Sequence, residues 1–244
     1  MPVGTWERTL SVKTSKGWPE PAKWQPCRFC GKPAHATAEA PGWSVGDPEK
    51  LGSNILRGAE PASHPWYTGR RSIAAHHLIC SEAMADDEDW TRYCWLFGYD
   101  INKAENGVFL PMNMAVACEL HVPVHRGPHS NGWAFDLNMA YPSAVVAKLE
   151  KLAESVEAGA YCGKPTRLVE KLDRTSKDIL DKLSSGSWTI TSDGLDYLPG
   201  GKGCGGVRSI SDKPIRACPS GRRHGVRHGT TKKPLVRRPL QVGT

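Results

Sequence analysis

Two adjacent histidines, His76 and His77, are the residues of the chain best suited to carry out chemistry. An imidazole has a pKa near neutrality, so it can bind a first-row divalent cation or take a proton from water. In a strand, neighbouring side chains point to opposite faces, so the two histidines can serve different roles. We expect one of them to hold a metal ion and the other to activate a water molecule.

Three later residues extend this set. His125 and His129 are four positions apart and share a face if their segment is helical, although Pro128 limits that interpretation to a first helical turn. Asn106 lies between the histidine pair and these two residues. Phosphodiester hydrolysis needs an activated water, a cation opposite the developing negative charge and help for the leaving oxygen. These side chains could supply all three.

Short strands and helices must position these residues. We expect strands at 72–79, which ends on the histidine pair, and at 107–110, which Pro111 closes. Between them, carboxylates at 86–89 begin a helix that Gly98 ends, with an apolar face formed by Trp90, Tyr93, Cys94 and Phe97.

Two core-facing helices follow. Ser143 is predicted to cap the first, whose apolar stripe includes Val145, Val146 and Leu149 and which ends at Gly159, and Thr166 to cap the second. Trp188 begins a hairpin-like stretch that turns at 193–194.

The domain organisation follows from composition. Residues 1–65 form an N-terminal arm with a cysteine motif and a Gly- and Pro-rich linker over 41–65, and residues 66–160 form the core. Residues 161–198 form a helical and hairpin extension, and residues 199–244 a basic, Gly-rich tail.

Charge is distributed unevenly between the body and the tail. Residues 199–244 carry eleven Lys or Arg and one acidic residue, Asp212, whereas the preceding residues carry 21 basic and 24 acidic groups. A basic tail on a mildly acidic body favours either a polyanionic partner or a solubilising disordered segment. No apolar run reaches the roughly 20 residues that span a bilayer, and no secretory signal is present, so we expect synthesis and folding in a cytoplasm.

The spacing Cys27-x-x-Cys30-Gly predicts a zinc knuckle, in which two thiolates bind one cation. The remaining ligands would be His35, or Cys204 and Cys218 from the tail. Reduced cysteine and a redox-active dithiol are the alternatives. We expect Cys80, Cys94 and Cys118 to pack in the core.

The histidine region resembles the AHH nucleases, a branch of the HNH and endonuclease-VII-like superfamily found in bacterial polymorphic toxins. The resemblance covers roughly residues 66–152 and rests on four motifs: Ala75-His76-His77-Leu78-Ile79, Gly98-Tyr99-Asp100-Ile101-Asn102, Asn106-Gly107-Val108-Phe109-Leu110-Pro111 and His125-x-Gly127-x-His129. It implies an α+β fold with a ββα-metal, treble-clef-like core, to which the helices and the N-terminal zinc knuckle are additions.

The resemblance also implies roles for individual residues. His76 is a metal ligand and His77 the general base, while Asn106 orients the base or holds the strand turn. His125 and His129 complete the metal site, with His121 as the alternative to His129, because the superfamily's His-x-x-x-His-Arg-Gly string matches His121 and His125. Arg126 could contact a phosphate or be a solvated surface residue.

Together, the histidines and the resemblance imply an endonuclease that uses Mg²⁺ or Zn²⁺, and the resemblance implies double-stranded DNA as its substrate. The resemblance implies a toxin such as a type VI secretion effector, with a cognate immunity protein, a secretion-apparatus or adaptor partner, no membrane contact, and delivery into the cytoplasm of a target cell. The alternatives are an RNase on the same fold and a non-catalytic, zinc-stabilised module that binds nucleic acid or protein.

Overall fold

The computed structural model describes residues 29–31, 38–85, 87–112, 116–117, 120, 122–191, 235 and 238–244. Its fold is α+β, which confirms the predicted class. The predicted ligands Cys27, His35, Cys204 and Cys218 lie outside the described residues, as do Cys118, His121 and the turn at 193–194. No helix in the described part of the chain is long and apolar enough to cross a membrane.

The central sheet consists of two antiparallel strands, β1 (Ile73–His77) and β2 (Gly107–Pro111). The register pairs His76 with Val108 and His77 with Gly107. A second small antiparallel sheet is formed by β3 (Trp133–Ala134) and β4 (Met139–Ala140). β1 and β2 confirm the two strands predicted at 72–79 and 107–110.

The predicted linker over 41–65 is wrong in its centre, where helix α1 spans Pro48–Ile55. The Asp47 side chain accepts hydrogen bonds from the Glu49 and Lys50 amides, and Pro48 suits the first helical position. Leu51 and Ile55 pack on one face of the central sheet against Ala75 and Phe109. A helix with so few apolar positions gives a weak periodic signal.

Gly107 allows this helix to approach the sheet. A Cβ atom at that position would lie 2.6 Å from Cδ1 of Leu51 and 2.8 Å from Cδ1 of Ile55, closer than real contacts permit. A side chain at this position, which pairs with His77, would therefore require Leu51 and Ile55 to shift.

Helix α2 (Ser81–Met84) follows the histidine strand, and helix α3 spans Glu88–Phe97. Asp87 caps α3 and Gly98 ends it in a left-handed conformation, as predicted. Its predicted apolar face is buried, and Cys80 and Cys94 are buried with it.

Helix α4 spans Tyr141–Glu157 and helix α5 spans Pro165–Ser184. The predicted caps Ser143 and Thr166 are wrong, because α4 begins after Ala140 and α5 after Lys164. A proline lies in the first turn of each helix, where its missing N–H has no cost, and this moves the start toward the N-terminus. Val146, predicted on the apolar stripe of α4, is 39% exposed.

One hydrophobic cluster joins α2, α3, α4 and α5 to the face of the central sheet opposite α1. It includes the buried side chains of Trp66 and Trp188. The last described residues also contact the sheet, since the Gly243 amide donates to the Gly107 carbonyl and the Phe109 amide donates to the Thr244 carbonyl. The sheet is thus enclosed on both faces.

Candidate metal centre and active site

The alternation of β1 places the two adjacent histidines in different surroundings. His76 is 1% exposed and lies on the face of the large core, whereas His77 is 8% exposed and lies on the α1 side. Because these are the last two residues of β1, both rings lie at the end of that strand. The division of roles predicted from the sequence is therefore sterically feasible.

His76 carries a fixed tautomer. The Tyr141 hydroxyl donates to the Leu78 carbonyl at 2.6 Å, so its oxygen accepts from Nε2 of His76 at 3.0 Å. Protonation at Nε2 leaves the lone pair on Nδ1. That nitrogen is buried and has no hydrogen-bond partner among the described residues. A buried lone pair without a donor fits a ligand atom for a cation.

His125 and His129 complete a triangle of imidazoles with His76. Ligand nitrogens of the three rings all lie within 4.8 Å of one another, and Nε2 of His125 is 3.2 Å from Nε2 of His129. The two residues do not share a helix, since 122–128 is irregular and His129 begins a short 3-10 helix, His129–Asn131. A loop between β2 and β3 therefore brings them together.

Hydrogen bonds tie this loop to its neighbours. The His125 amide donates to the Pro111 carbonyl at 2.8 Å, at the end of β2. The Thr191 hydroxyl donates to the Val124 carbonyl and accepts from the Arg126 amide. The position of the His125 ring is thus set from both sides.

Glu82 fixes the orientation of His129. Its Oε1 lies 2.9 Å from Nδ1 of His129, so Nδ1 donates and Nε2 is left to face the other two imidazoles. Burial opposes ionisation of Glu82, but the hydrogen bond and charge of His129 outweigh it and lower the pKa of this carboxyl to about 2. A carboxylate behind a ligand histidine raises its basicity.

The electrostatics keep His76 and His125 neutral, as metal ligation requires. Burial, followed by the charges of His129 and His77, lowers the pKa of His125 to about 4. Burial and the neighbouring histidines hold the pKa of His76 well below its usual value. Three imidazoles are also the ligand set of some catalytic zinc sites, in which water takes the fourth position.

A second group, Cys80, Glu82 and His129, shares His129 with the triangle. Burial raises the pKa of the Cys80 thiol, so it stays protonated near neutrality. Nδ1 of His129 already donates to Glu82 in this group. The His76, His125 and His129 triangle is therefore the better metal site.

His77 is held by Asn102, a residue to which the sequence analysis assigned no role. Nδ2 of Asn102 donates to the Val45 carbonyl at 3.0 Å and to Oδ1 of Asp100 at 3.1 Å, which orients the amide. Its Oδ1 then accepts from the Asp47 amide at 2.6 Å and from Nε2 of His77 at 2.9 Å. His77 is consequently protonated on Nε2 and carries its lone pair on Nδ1.

Burial lowers the pKa of His77, the hydrogen bond to Asn102 opposes that shift, and the charge of His129 adds to it. His77 is thus an unprotonated base at neutral pH. His77 can therefore take a proton at Nδ1, and the hydrogen bond from Nε2 to the Asn102 carbonyl would stabilise the resulting positive charge on the ring.

Asn106 is fully buried, and its side chain holds the backbone. Oδ1 accepts from the Ile79 amide and the Ser176 hydroxyl, and Nδ2 donates to the Ile79 and Ile101 carbonyls. Of the two roles that the resemblance implies, these contacts support holding the strand turn. Asn102, instead, contacts the predicted base.

Three residues of this site were missed from the sequence: Asn102, Glu82 and Tyr141. Asn102 closes the Gly98–Asn102 motif, so its position carried a signal, whereas Glu82 and Tyr141 contact the histidines only through the fold. Arg126 is exposed, and Cys30 lies at the far end of α4, as described below.

Residues 62–179 match the model of AHH, a nuclease family of the HNH/ENDO VII superfamily with conserved AHH. The Ala75-His76-His77 triplet lies within that span and contributes both the predicted buried ligand and the predicted base. No curated protein and no solved structure matches the chain. The three histidines of the triangle and the adjacent His77 all lie within residues 62–179, the part of the chain that matches this nuclease family.

Proposed function

We propose that the chain is a divalent-metal-dependent endonuclease that hydrolyses phosphodiester bonds of double-stranded DNA. The observation that supports this most directly is the buried Nδ1 of His76, which has no hydrogen-bond partner in the described structure and belongs to a cluster with His125 and His129. The DNA substrate is inferred from the superfamily resemblance. The basic tail, residues 199–244, suits a polyanionic substrate.

The three imidazoles would hold the ion, and Glu82 and Tyr141 would orient two of them. An all-nitrogen site suits Zn²⁺ and other first-row ions better than Mg²⁺, which prefers oxygen ligands. The bound cation would supply positive charge opposite the negative charge that develops on the phosphate.

In the proposed reaction, His77 removes a proton from a water molecule at Nδ1. The water oxygen attacks phosphorus in line, and the bond to the 3′ oxygen breaks. The Asn102 carbonyl, 2.9 Å from Nε2 of His77, stabilises the imidazolium that forms. His77 then returns the proton to solvent or to the departing oxygen.

The test is incubation of the purified chain with supercoiled plasmid, with Mg²⁺, Mn²⁺, Co²⁺, Zn²⁺ or EDTA. Metal-dependent nicking is expected. A His77→Ala variant should lose about 10²- to 10⁴-fold in rate, the usual contribution of a general base, while it still binds metal. His64→Gln is the matched control, because His64 is buried against Phe109 and Trp66 outside the cluster.

Folded His77→Ala protein with near-full activity would show that the base is assigned wrongly. Total RNA serves as the parallel substrate. Cleavage of RNA with intact plasmid would make the chain an RNase on the same fold, and metal binding with no cleavage of either would make it a binding module.

We further propose that the chain is an antibacterial toxin, of the type VI effector kind, neutralised by a cognate immunity protein. The support is the resemblance to nucleases of polymorphic toxins. Expression in the cytoplasm of a bacterial host should then fragment the chromosome and stop growth, and His77→Ala should be harmless. Equal toxicity of the variant would contradict the proposal. Delivery through a secretion apparatus or adaptor is proposed on the same ground.

A further inference from the structure

The tetrapeptide Cys-Gly-Lys-Pro occurs twice, at 30–33 and 162–165. The glycine after each cysteine has a left-handed backbone, with φ of 65° at Gly31 and 68° at Gly163. A left-handed residue after a turn directs successive N–H groups to one side, where they stabilise anions such as metal-bound thiolates. The two cysteines thus stand in matching local settings, although only Cys30 belongs to a Cys-x-x-Cys spacing.

The two cysteines meet at Gly159, in the turn after α4. A Cβ atom at Gly159 would lie 3.0 Å from Cβ of Cys30 and 3.4 Å from Sγ of Cys162. Thiolates that share one zinc ion lie roughly 4 Å apart, given Zn–S bonds of about 2.3 Å. Gly159 itself has φ of 74°, and its lack of a side chain leaves room for both cysteines.

The neighbouring residue Phe29 anchors the N-terminal turn to the body. Its ring centroid lies 6.1 Å from that of Tyr93 and 5.9 Å from that of Phe97, both on α3. The turn that carries Cys30 is therefore packed between α3 and the end of α4. Its approach to Cys162 is supported by these aromatic contacts as well as by the distances at Gly159.

We propose that Cys30 and Cys162 are ligands of one structural zinc ion, in a site separate from the histidine triangle. The Cys-x-x-Cys spacing makes Cys27, which lies outside the described residues, the predicted third thiolate. Each thiol releases its proton to solvent as it binds the metal. With Cys162 in the set, a four-coordinate site needs one more ligand, for which the sequence offers His35, Cys204 or Cys218.

Such an ion would join the N-terminal segment to the junction of α4 and α5. This junction is far along the chain from Cys30, so the link closes a long loop and stabilises the folded state against an open chain. The histidine triangle lies at the N-terminal end of α4, near Tyr141, whereas the thiols lie past its C-terminal end. The two sites can therefore be tested independently.

The experiment is titration of the full, reduced, metal-stripped chain with Co²⁺, followed by near-ultraviolet absorption. Thiolate ligation gives a sulfur-to-cobalt charge-transfer band, and imidazole ligation at the histidine triangle does not. We expect one thiolate-ligated ion per chain. Cys162→Ser should weaken the band and lower the affinity for that ion more than about 10-fold, since even outer-shell changes cost 10- to 100-fold.

Cys94→Ala is the matched control, because Cys94 is buried on α3 beside Met84 and should leave the band unchanged. If Cys162→Ser does not fold, alkylation of the unmodified chain gives a second readout. Zinc should protect Cys30 and Cys162 together, and a chelator should expose them. An unchanged band in Cys162→Ser, or alkylation of Cys162 at the same rate with and without zinc, would overturn the proposal.

Discussion

The hydroxyl of Tyr141 lies 3.0 Å from Nε2 of His76, and it accepts that nitrogen's proton because its own is donated to the Leu78 carbonyl. A residue at the start of α4 thereby decides which nitrogen of His76 carries the lone pair that is available to a metal ion. The contact joins two elements separated by 65 residues in the chain.

Replacement of Tyr141 by Phe should therefore weaken metal binding. Without the phenol oxygen, Nε2–H of His76 loses its acceptor and the metal-facing tautomer is no longer favoured. Loss of such a contact behind a ligand typically costs about 10- to 100-fold in affinity, which calorimetric titration would measure. Tyr93→Phe is the matched control, since its hydroxyl donates to Glu157 away from the site. Equal losses in both variants would count against a tautomer effect.

Asn102→Ala should reduce kcat with little change in KM. Its Oδ1 holds Nε2 of His77, so its removal leaves the ring free to rotate and to change tautomer. Asn102 acts through His77, and it is a positioning residue. Asn54→Ala is the control, because Asn54 donates to the backbone carbonyl of Asn102 and not to His77. A 10-fold or larger fall in kcat in Asn102→Ala alone, at unchanged metal affinity, is the expected outcome. A matching fall in Asn54→Ala would indicate a general loosening of this turn.

The metal-stripped protein should lose stability as the pH falls from about 6.5 to about 4. Burial lowers the pKa of His125 to about 4 in the folded state, so below 6.5 the unfolded chain binds protons that the folded chain does not. The stabilising contribution of neutral His125 is complete above 6.5 and is lost through this window. Urea unfolding at several pH values would show a slope of up to about 1.4 kcal/mol per pH unit for each such histidine. His125→Asn should flatten this slope, and an unchanged slope would contradict the assignment.

Asn106→Ala should destabilise the fold strongly. Its side chain makes four hydrogen bonds, and its loss leaves the Ile79 amide and two buried carbonyls without that partner. A cost of roughly 2 to 4 kcal/mol in the free energy of unfolding is expected by chemical denaturation. Ser176→Ala removes one of the same bonds and should cost about 1 kcal/mol. Equal costs would show that the Asn106 network is not held cooperatively.

Much of the fold followed from local signals. Asp87 and Gly98 marked the ends of α3, and the apolar runs around His76 and Val108 marked the paired strands. Helix α1 was not predicted, because two apolar residues, Leu51 and Ile55, are too few to show a helical period. Their role is visible only in the folded structure, where they pack against Phe109. The starts of α4 and α5 were displaced because proline at the first turn outweighed the serine and threonine signals.

The candidate site was likewise predictable only in part from the sequence. The histidines could be predicted as site residues because few side chains share their chemistry and because their spacing is a local signal. The side chains that orient them come from other elements: Tyr141 from α4, Glu82 from α2 and Asn102 from the turn after α3. Such partners are ordinary polar residues whose importance depends on long-range geometry, which a single sequence does not disclose.

The pairing of His76 with Val108 and of His77 with Gly107 makes the candidate active site sensitive to strand register. A slip of one residue turns every side chain of a strand to the other face. His76 would then point toward α1 and His77 into the core, and ligand and base would exchange places while all residues remained present. An insertion or deletion between the two strands would thus inactivate the protein by reorienting the histidines, although no side chain of the site is lost. The turn that Asn106 holds would have to accommodate the change in length to prevent this.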